Sequence, residues 1–309
     1  MARARPPALA AMPLGNMGNT CFVNSALHLL FALLDSPAHL SALERDAAAV
    51  FPPGEPTLPR ALLELYHAVR ARPDAVLVPS AFRRAAHAAL ATRPYIDTRQ
   101  HAADDFLLAV FSVLPCLAEA VSSMAVAHRT CGNGHTIDVP AAMPIWWVVP
   151  GQHSHIIAML QDSIQGAADN ERALCSTCQA DARHEATHMF LDDTLIIGIT
   201  AYDNAQRKIE RDITFPLTMD LTGIASGTGN LTFELACIAR HLGPSLDSGH
   251  YDATVRLPTG WKVLDDAAKR DVLNLGVGEI KQAGTVLAVY HKVCTRTDRR
   301  GSTAGGFLT

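Results

Sequence analysis

The 309-residue chain is long enough for one large enzyme domain, and with 49% apolar and 18% charged residues it can bury a sizeable core, which excludes a wholly disordered protein. Its 26 Lys+Arg against 30 Asp+Glu give a net charge of -4, so it lacks the basic surplus that draws nucleic acid or an anionic membrane, and a basic protein partner suits it better. No apolar run nears the roughly 20 residues that span a bilayer, the longest candidate being Leu29 to Leu34, so a soluble protein and a monomer are expected.

Met1 to Pro13 has two arginines and a few apolar residues broken by Pro6, Pro7 and Pro13, and reads as a short flexible lead without the apolar stretch of a secretory signal. From Gly15 to about Leu117 the helical period prevails. Phe22 to Leu34, Arg60 to Ala71, Ala81 to Ala91 and His101 to Leu114 are expected helices, bounded by Ser36-Pro37, Pro73, Ser80 and Pro115. Met124 to His188 carries cysteine and histidine knuckles and few long apolar runs, as where a metal substitutes for a core. From about Thr194 short β-branched runs take over: Leu195 to Thr200, Ile213 to Phe215, Leu231 to Ala239, Tyr251 to Arg256, Trp261 to Leu264 and Val286 to Tyr290. The fold class is therefore α+β, a helical first third and a mostly antiparallel last third, with a polar, glycine-rich tail over 295–309 expected to be disordered.

The seven cysteines are odd in number and scattered, and Cys175-x-x-Cys178 forms one knuckle. In a chain read as lacking a signal peptide that pattern points to metal or catalysis in a reducing compartment, cytosol or nucleus. Gly15 to Cys21 is a glycine-punctuated turn running straight into a helix that is apolar on nearly every side. A thiol at a helix N-terminus meets unpaired N–H groups and the positive end of the dipole, which lower its pKa and make a nucleophile of it. The same turn offers backbone donors and the Asn16 amide for an oxyanion. A lone cysteine in such a place is more often a small buried residue, but the far end of the chain changes those odds. Gly249-His250-Tyr251 begins a strand, Leu257-Pro258-Thr259-Gly260 turns it, and Trp261 to Asp266 returns. This hairpin makes His250 and Asp265 neighbours, the arrangement of a Cys-His-Asp triad. Adjacent Asp266 is the rival for the acid's role. Successive strand residues face opposite ways, so only one of the two meets His250, and the distance after Trp261 favours Asp265.

With both ends placed, the chain resembles the ubiquitin-specific protease family from about Leu14 to Tyr290. Asn16 to Ser25 is similar to that family's cysteine box, and Gly249-His250-Tyr251 with Trp261 and Asp265-Asp266 to its histidine box. Gln100 to Leu107 resembles the helix that borders the channel for the ubiquitin tail, and Asp193 to Leu221 the strand pair before the histidine box. The resemblance implies a papain-like fold with a helical thumb (about 14–117), zinc-bearing fingers (about 118–190) and an antiparallel β palm (about 191–294). It implies Cys21 as nucleophile, His250 as base, Asp265 as orienting acid and Asn16 as oxyanion donor, with Gln100, Asp105 and Tyr251 on the substrate-binding side and no cofactor for catalysis. The substrate would be a conjugate of ubiquitin; a protease for another ubiquitin-like modifier and a silent ubiquitin-binding module are the alternatives. In the knuckles the family often has Cys-x-x-Cys twice; here His128-x-x-Cys131 and Cys175-x-x-Cys178 supply four N/S ligands for structural zinc, with His135 the alternative fourth ligand. Cys116, Cys237 and Cys294 read as core residues, and His153, His155, His184 and His188 as solvated ones. One departure stands in the channel helix, where Ala102 replaces an acidic residue that would face the arginine-bearing tail of ubiquitin. Asp104, two positions on, reads as lying on another face, so weak ubiquitin capture or preference for another tail is expected.

Overall fold

The computed structural model describes residues 12–49, 57–72, 75–90, 100–166, 173–202, 208–209, 211–227, 230–245, 248–257, 259–272 and 275–293. Its first part is helical: α1 (Cys21–Leu34), α2 (Pro37–Ala48), α3 (Leu58–Ala71), α4 (Ser80–Ala89), α5 (Ala103–Val113) and α6 (Pro115–Val121). Four of these match the expected helices within a few residues. The reading missed α2 and α6 because each opens with the proline taken as a stop, Pro37 and Pro115, at the first helical position. There its fixed φ fits the helix and its missing N–H costs nothing. Every residue of α1 is buried, as its all-round apolar sequence requires.

The middle of the chain is a four-stranded antiparallel sheet in the order β2-β1-β5-β4, built from β1 (Ser123–Cys131), β2 (Thr136–Met143), β4 (Ala173–Leu174) and β5 (Asp181–Phe190). These strands gave no sequence signal because few of their residues are buried. Beside it lie β3 (Trp146–Val148) and α7 (Ile156–Gly166). The main sheet runs β12-β11-β10-β9-β14-β6-β3, through β6 (Thr194–Ile199), β9 (Thr232–Ser245), β10 (Ser248–Leu257), β11 (Gly260–Asp265), β12 (Ala268–Asp271) and β14 (Thr285–Lys292), with β8 (Thr218–Asp220) on β9. Its pairings are antiparallel except β3 with β6. A separate pair joins β7 (Asp212–Pro216) to β13 (Glu279–Ala283). The α+β class and antiparallel sheet thus stand as expected.

One core fills the space between the helices and one face of the main sheet, and holds α1 with Tyr251, Val255, Leu264 and Leu287. A second lies on the other face, around Trp146, Ile156, Phe215 and Tyr290. A third is tiny, with Cys131, Cys175 and Ala182 as its buried members among the described residues. Part of the expected lead is packed. Met12 is wholly buried, Leu77 N–H donates to the Pro13 carbonyl and Gly15 N–H to that of Leu77; residues 1–11 lie outside the described residues. The expected tail and Cys294 also lie outside them. No single described helix is long and apolar enough to cross a membrane.

Candidate active site

Cys21 is the first residue of α1. The turn before it uses two left-handed residues, Gly18 (φ 91°) and Asn19 (φ 46°), and its own side chains brace it: Met17 N–H donates to Thr20 Oγ1 at 2.9 Å, Thr20 Oγ1 donates to Asn16 Oδ1 at 3.0 Å, and Gly18 N–H to the same oxygen at 2.9 Å. Thr20 is the N-cap residue but makes no side-chain cap, which leaves the first-turn amides of α1 to the sulfur and whatever it attacks. Contrary to the expectation, the Cys21 pKa is raised. Burial is the main cause; the Tyr251, Phe22 and Cys21 amides oppose it, and the nearby Asp266 carboxylate adds to the rise. A helix N-terminus alone does not offset the desolvation of a thiolate, so this thiol needs a base.

His250 sits at the start of β10, just beyond a bulge in its pairing with β9. The β10–β11 hairpin pairs Ala253 with Leu264 and Leu257 with Gly260, which puts Asp265 diagonally across from His250 on one face. His250 Nε2–H donates to Asp265 Oδ1 at 2.5 Å, so Nδ1 carries the lone pair and is free to act as base. Arg270 of β12 donates to the other Asp265 oxygen, fixing the carboxylate from behind. Asp266 turns away with φ 48°, and its two oxygens accept from Asn16 Nδ2 at 2.8 Å and Asn24 Nδ2 at 2.9 Å. Asn16 is thus gripped at both ends, a relation between residues 250 positions apart that no sequence pattern announces.

Across the cleft, Gln100 places its carboxamide 3.3 Å from His241 Nε2, and Asp105 is exposed on the first turn of α5. The Tyr251 ring is buried while its backbone amide bears on the Cys21 sulfur. Asp104 is largely withdrawn from water: burial first, then Asp105, pushes its carboxyl up to about 6, and it bears electrostatically on Tyr202 and Tyr251.

The metal candidates need one correction. Cys131, His135, Cys175 and Cys178 bring one ligand atom each within 4.8 Å of one another, and His128 is not among them. His128 lies in the interior of β1, three residues before Cys131. An extended chain carries it roughly 10 Å off and to the opposite face, where Nδ1 meets Asp138 and the ring stacks edge-on to His188. Spacing of x-x gathers two ligands only across a turn, and the turn here is 131–135, closed by Cys131 N–H to the His135 carbonyl at 3.0 Å. The ligand separations, 3.6 Å from Cys131 Sγ to His135 Nδ1, 3.7 Å to Cys178 Sγ and 3.7 Å from Cys175 Sγ to His135 Nδ1, match the edges of about 3.5–3.8 Å that tetrahedral Zn–S and Zn–N bonds define. The residues therefore fit a metal ion. Asn133 donates to Cys178 Sγ at 3.2 Å, a second layer around the ligands. Cys237 is fully buried and Cys116 half-buried. His153, His155, His184 and His188 each make a hydrogen bond rather than facing water alone.

No curated protein matches the chain. Among solved structures, a chain of the SAGA DUB module Ubp8/Sgf11/Sus1/Sgf73 bound to monoubiquitin aligns with TM-score 0.70 and 16% identity over 96% of this chain and 72% of that one. A second, the same module bound to ubiquitin aldehyde, aligns with TM-score 0.71, again at 16% identity over 96% and 72%; at that identity the likeness is one of fold. A family model described as ubiquitin carboxyl-terminal hydrolase matches residues 13–283, which hold every active-site and metal-candidate residue named above. The chain belongs to the ubiquitin carboxyl-terminal hydrolase family and is a thiol-dependent deubiquitinating peptidase.

Proposed function

We propose that Cys21, His250 and Asp265 cut the peptide or isopeptide bond after the C-terminal glycine of ubiquitin. His250 Nδ1 takes the Cys21 proton, the sulfur adds to the glycine carbonyl, and the oxyanion is met by the Asn16 amide and the first-turn N–H of α1. Collapse breaks the C–N bond as His250 returns the proton to the leaving amine. Water, deprotonated by the same nitrogen, then cleaves the thioester and frees the thiol. The observation that carries this reading is the His250–Asp265 bond on a hairpin whose next residue, Tyr251, turns its amide to the sulfur of a cysteine that heads a buried helix. Asp266 serves by holding Asn16 in place. Zinc held by Cys131, His135, Cys175 and Cys178 would be structural, four protein ligands leaving no open position for chemistry. The six described cysteines are all free, in keeping with a cytosolic or nuclear protein.

Cys21→Ala should abolish hydrolysis of ubiquitin-aminocoumarin while leaving the melting temperature nearly unchanged. Activity within about tenfold of wild type, a barrier change of about 1.4 kcal/mol, would refute the assignment. A second reading, preference for another ubiquitin-like modifier, draws on Ala102 at the head of α5. A panel of modifier-propargylamide probes separates the two.

A further inference from the structure

One buried ring links the hairpin that carries His250 to the segment that leads into α5. His241 of β9, opposite Tyr251 in the register, has no exposed surface. Its Nε2 faces the Gln100 carboxamide nitrogen at 3.3 Å; that group can only donate, so Nε2 accepts, and the single proton of the neutral ring lies on Nδ1, which donates to the Tyr202 hydroxyl at 2.8 Å. The ring lies against that of Tyr251, centroids 4.6 Å apart. Its backbone is equally fixed, N–H to the Gly284 carbonyl at 2.8 Å and carbonyl from Lys208 Nζ at 2.9 Å. Lys208 also donates to the Gly243 carbonyl at 2.7 Å.

The turn that delivers His250 rests on this ring. Gly249 has φ 152°, and a Cβ there would stand 2.4 Å from His241 Nε2. Gly243 closes the same pinch, where a Cβ would stand 2.5 Å from Gly249 Cα. None of the proton or bond steps above uses His241. Burial first, then the nearby Lys208 and His250, holds its ring down to about 4, so it is neutral over the working range beside the phenols of Tyr202 and Tyr251.

We propose that His241 is a positioning residue: its ring, hydrogen-bonded between Gln100 and Tyr202, sets the Gly249–His250 turn and with it the distance from His250 to Cys21. This rests on Cys21 and His250 being nucleophile and base. His241→Phe keeps the stack on Tyr251 and removes both hydrogen bonds; Tyr202→Phe removes one hydroxyl and nothing else. Two readouts are taken on the full chain: the pH profile of Cys21 alkylation by iodoacetamide, followed on the Cys21 peptide by mass spectrometry, and kcat and KM with ubiquitin-aminocoumarin. We expect kcat to fall about threefold to tenfold in Tyr202→Phe and about thirtyfold in His241→Phe, with KM within about twofold. The alkylation midpoint should move up in pH, toward that of His250→Ala. Profiles and kcat that superimpose on wild type in both variants would overturn the proposal; if His241→Phe fails to fold, Tyr202→Phe alone decides it. A profile that His250→Ala itself leaves unchanged would instead remove the Cys21–His250 reading beneath the proposal, and the proposal with it.

Discussion

Asp265 ends β11 in extended backbone and Asp266 follows it at φ 48°, so two neighbouring carboxylates leave the chain in different directions. One reaches His250, the other Asn16 and Asn24. Alternation along the strand foretold that only one could meet the histidine, and the hairpin register decides which. Asp265→Asn should lower kcat/KM by roughly a thousandfold, because the amide favours the wrong imidazole tautomer. Asp266→Asn should cost about tenfold, because it loosens an oxyanion donor rather than the base. Steady-state assay of both variants is the check, and the reverse order would make Asp266 the orienting acid. The Cys21 thiol was misjudged from sequence because the dipole argument counts the helix but not the burial: helix, hairpin and Asp266 close over the sulfur only in the fold. Asp104 has electrostatic neighbours that no local pattern shows, Tyr202 and Tyr251, which come from distant segments. At Ala102 a carboxylate placed next to this acid should raise ubiquitin capture: Ala102→Asp is expected to increase kcat/KM with ubiquitin-aminocoumarin about tenfold. An unchanged value would show that Asp104 already meets the tail or that no acid is needed.

Among the elements, the legible ones were those with a strong period. The helices α3, α4 and α5 bury one stripe, α1 is buried all round, and β6, β9, β10 and β14 carry largely apolar runs buried on both faces; a period or an apolar run is what a sequence displays. The strands β1, β2 and β5 are half-exposed and fold around a cluster of four ligands rather than a core, so apolar patterning is silent there. A metal-binding cluster was foreseen from residue types, and the choice of His128 over His135 as fourth ligand follows from reading x-x spacing as a knuckle where β1 runs extended. Cys175→Ser, Cys178→Ser and His135→Ala should each lose about one equivalent of zinc, with a fall in Tm, whereas His128→Ala should retain the metal. Metal analysis of protein purified without added zinc tests all four. Retention in His135→Ala with loss in His128→Ala would restore the sequence-based ligand set.

On the scale of the whole molecule, α1 is wrapped by the helices on one side and the main sheet on the other, and the far end of the chain is tied to it. His291 of β14 donates from Nε2 to the Ala32 carbonyl at 2.9 Å, while Nδ1 lies 3.1 Å from the Thr194 hydroxyl. Burial holds its pKa down to about 4, and His28 inside α1 down to about 3. A histidine whose folded pKa is depressed binds its proton better when unfolded, so stability is full above the unfolded value near 6.5 and falls as pH drops toward the folded one. For His291 that loss is about 3 kcal/mol between pH 6.5 and 4. Thermal melts across this range should show Tm decreasing, with a shallower slope in His291→Gln; equal slopes would remove His291 from the acid response. A single covalent experiment is decisive for the proposed function, because an electrophile on a ubiquitin tail captures an activated thiol and Cys21 is the cysteine proposed to be activated. The measurement is reaction of the full chain with ubiquitin-propargylamide, read by intact mass and by mapping the modified peptide. One ubiquitin added on Cys21, and none on Cys21→Ala, is the predicted result; a folded wild-type protein that forms no adduct, or forms it on another cysteine, would contradict it.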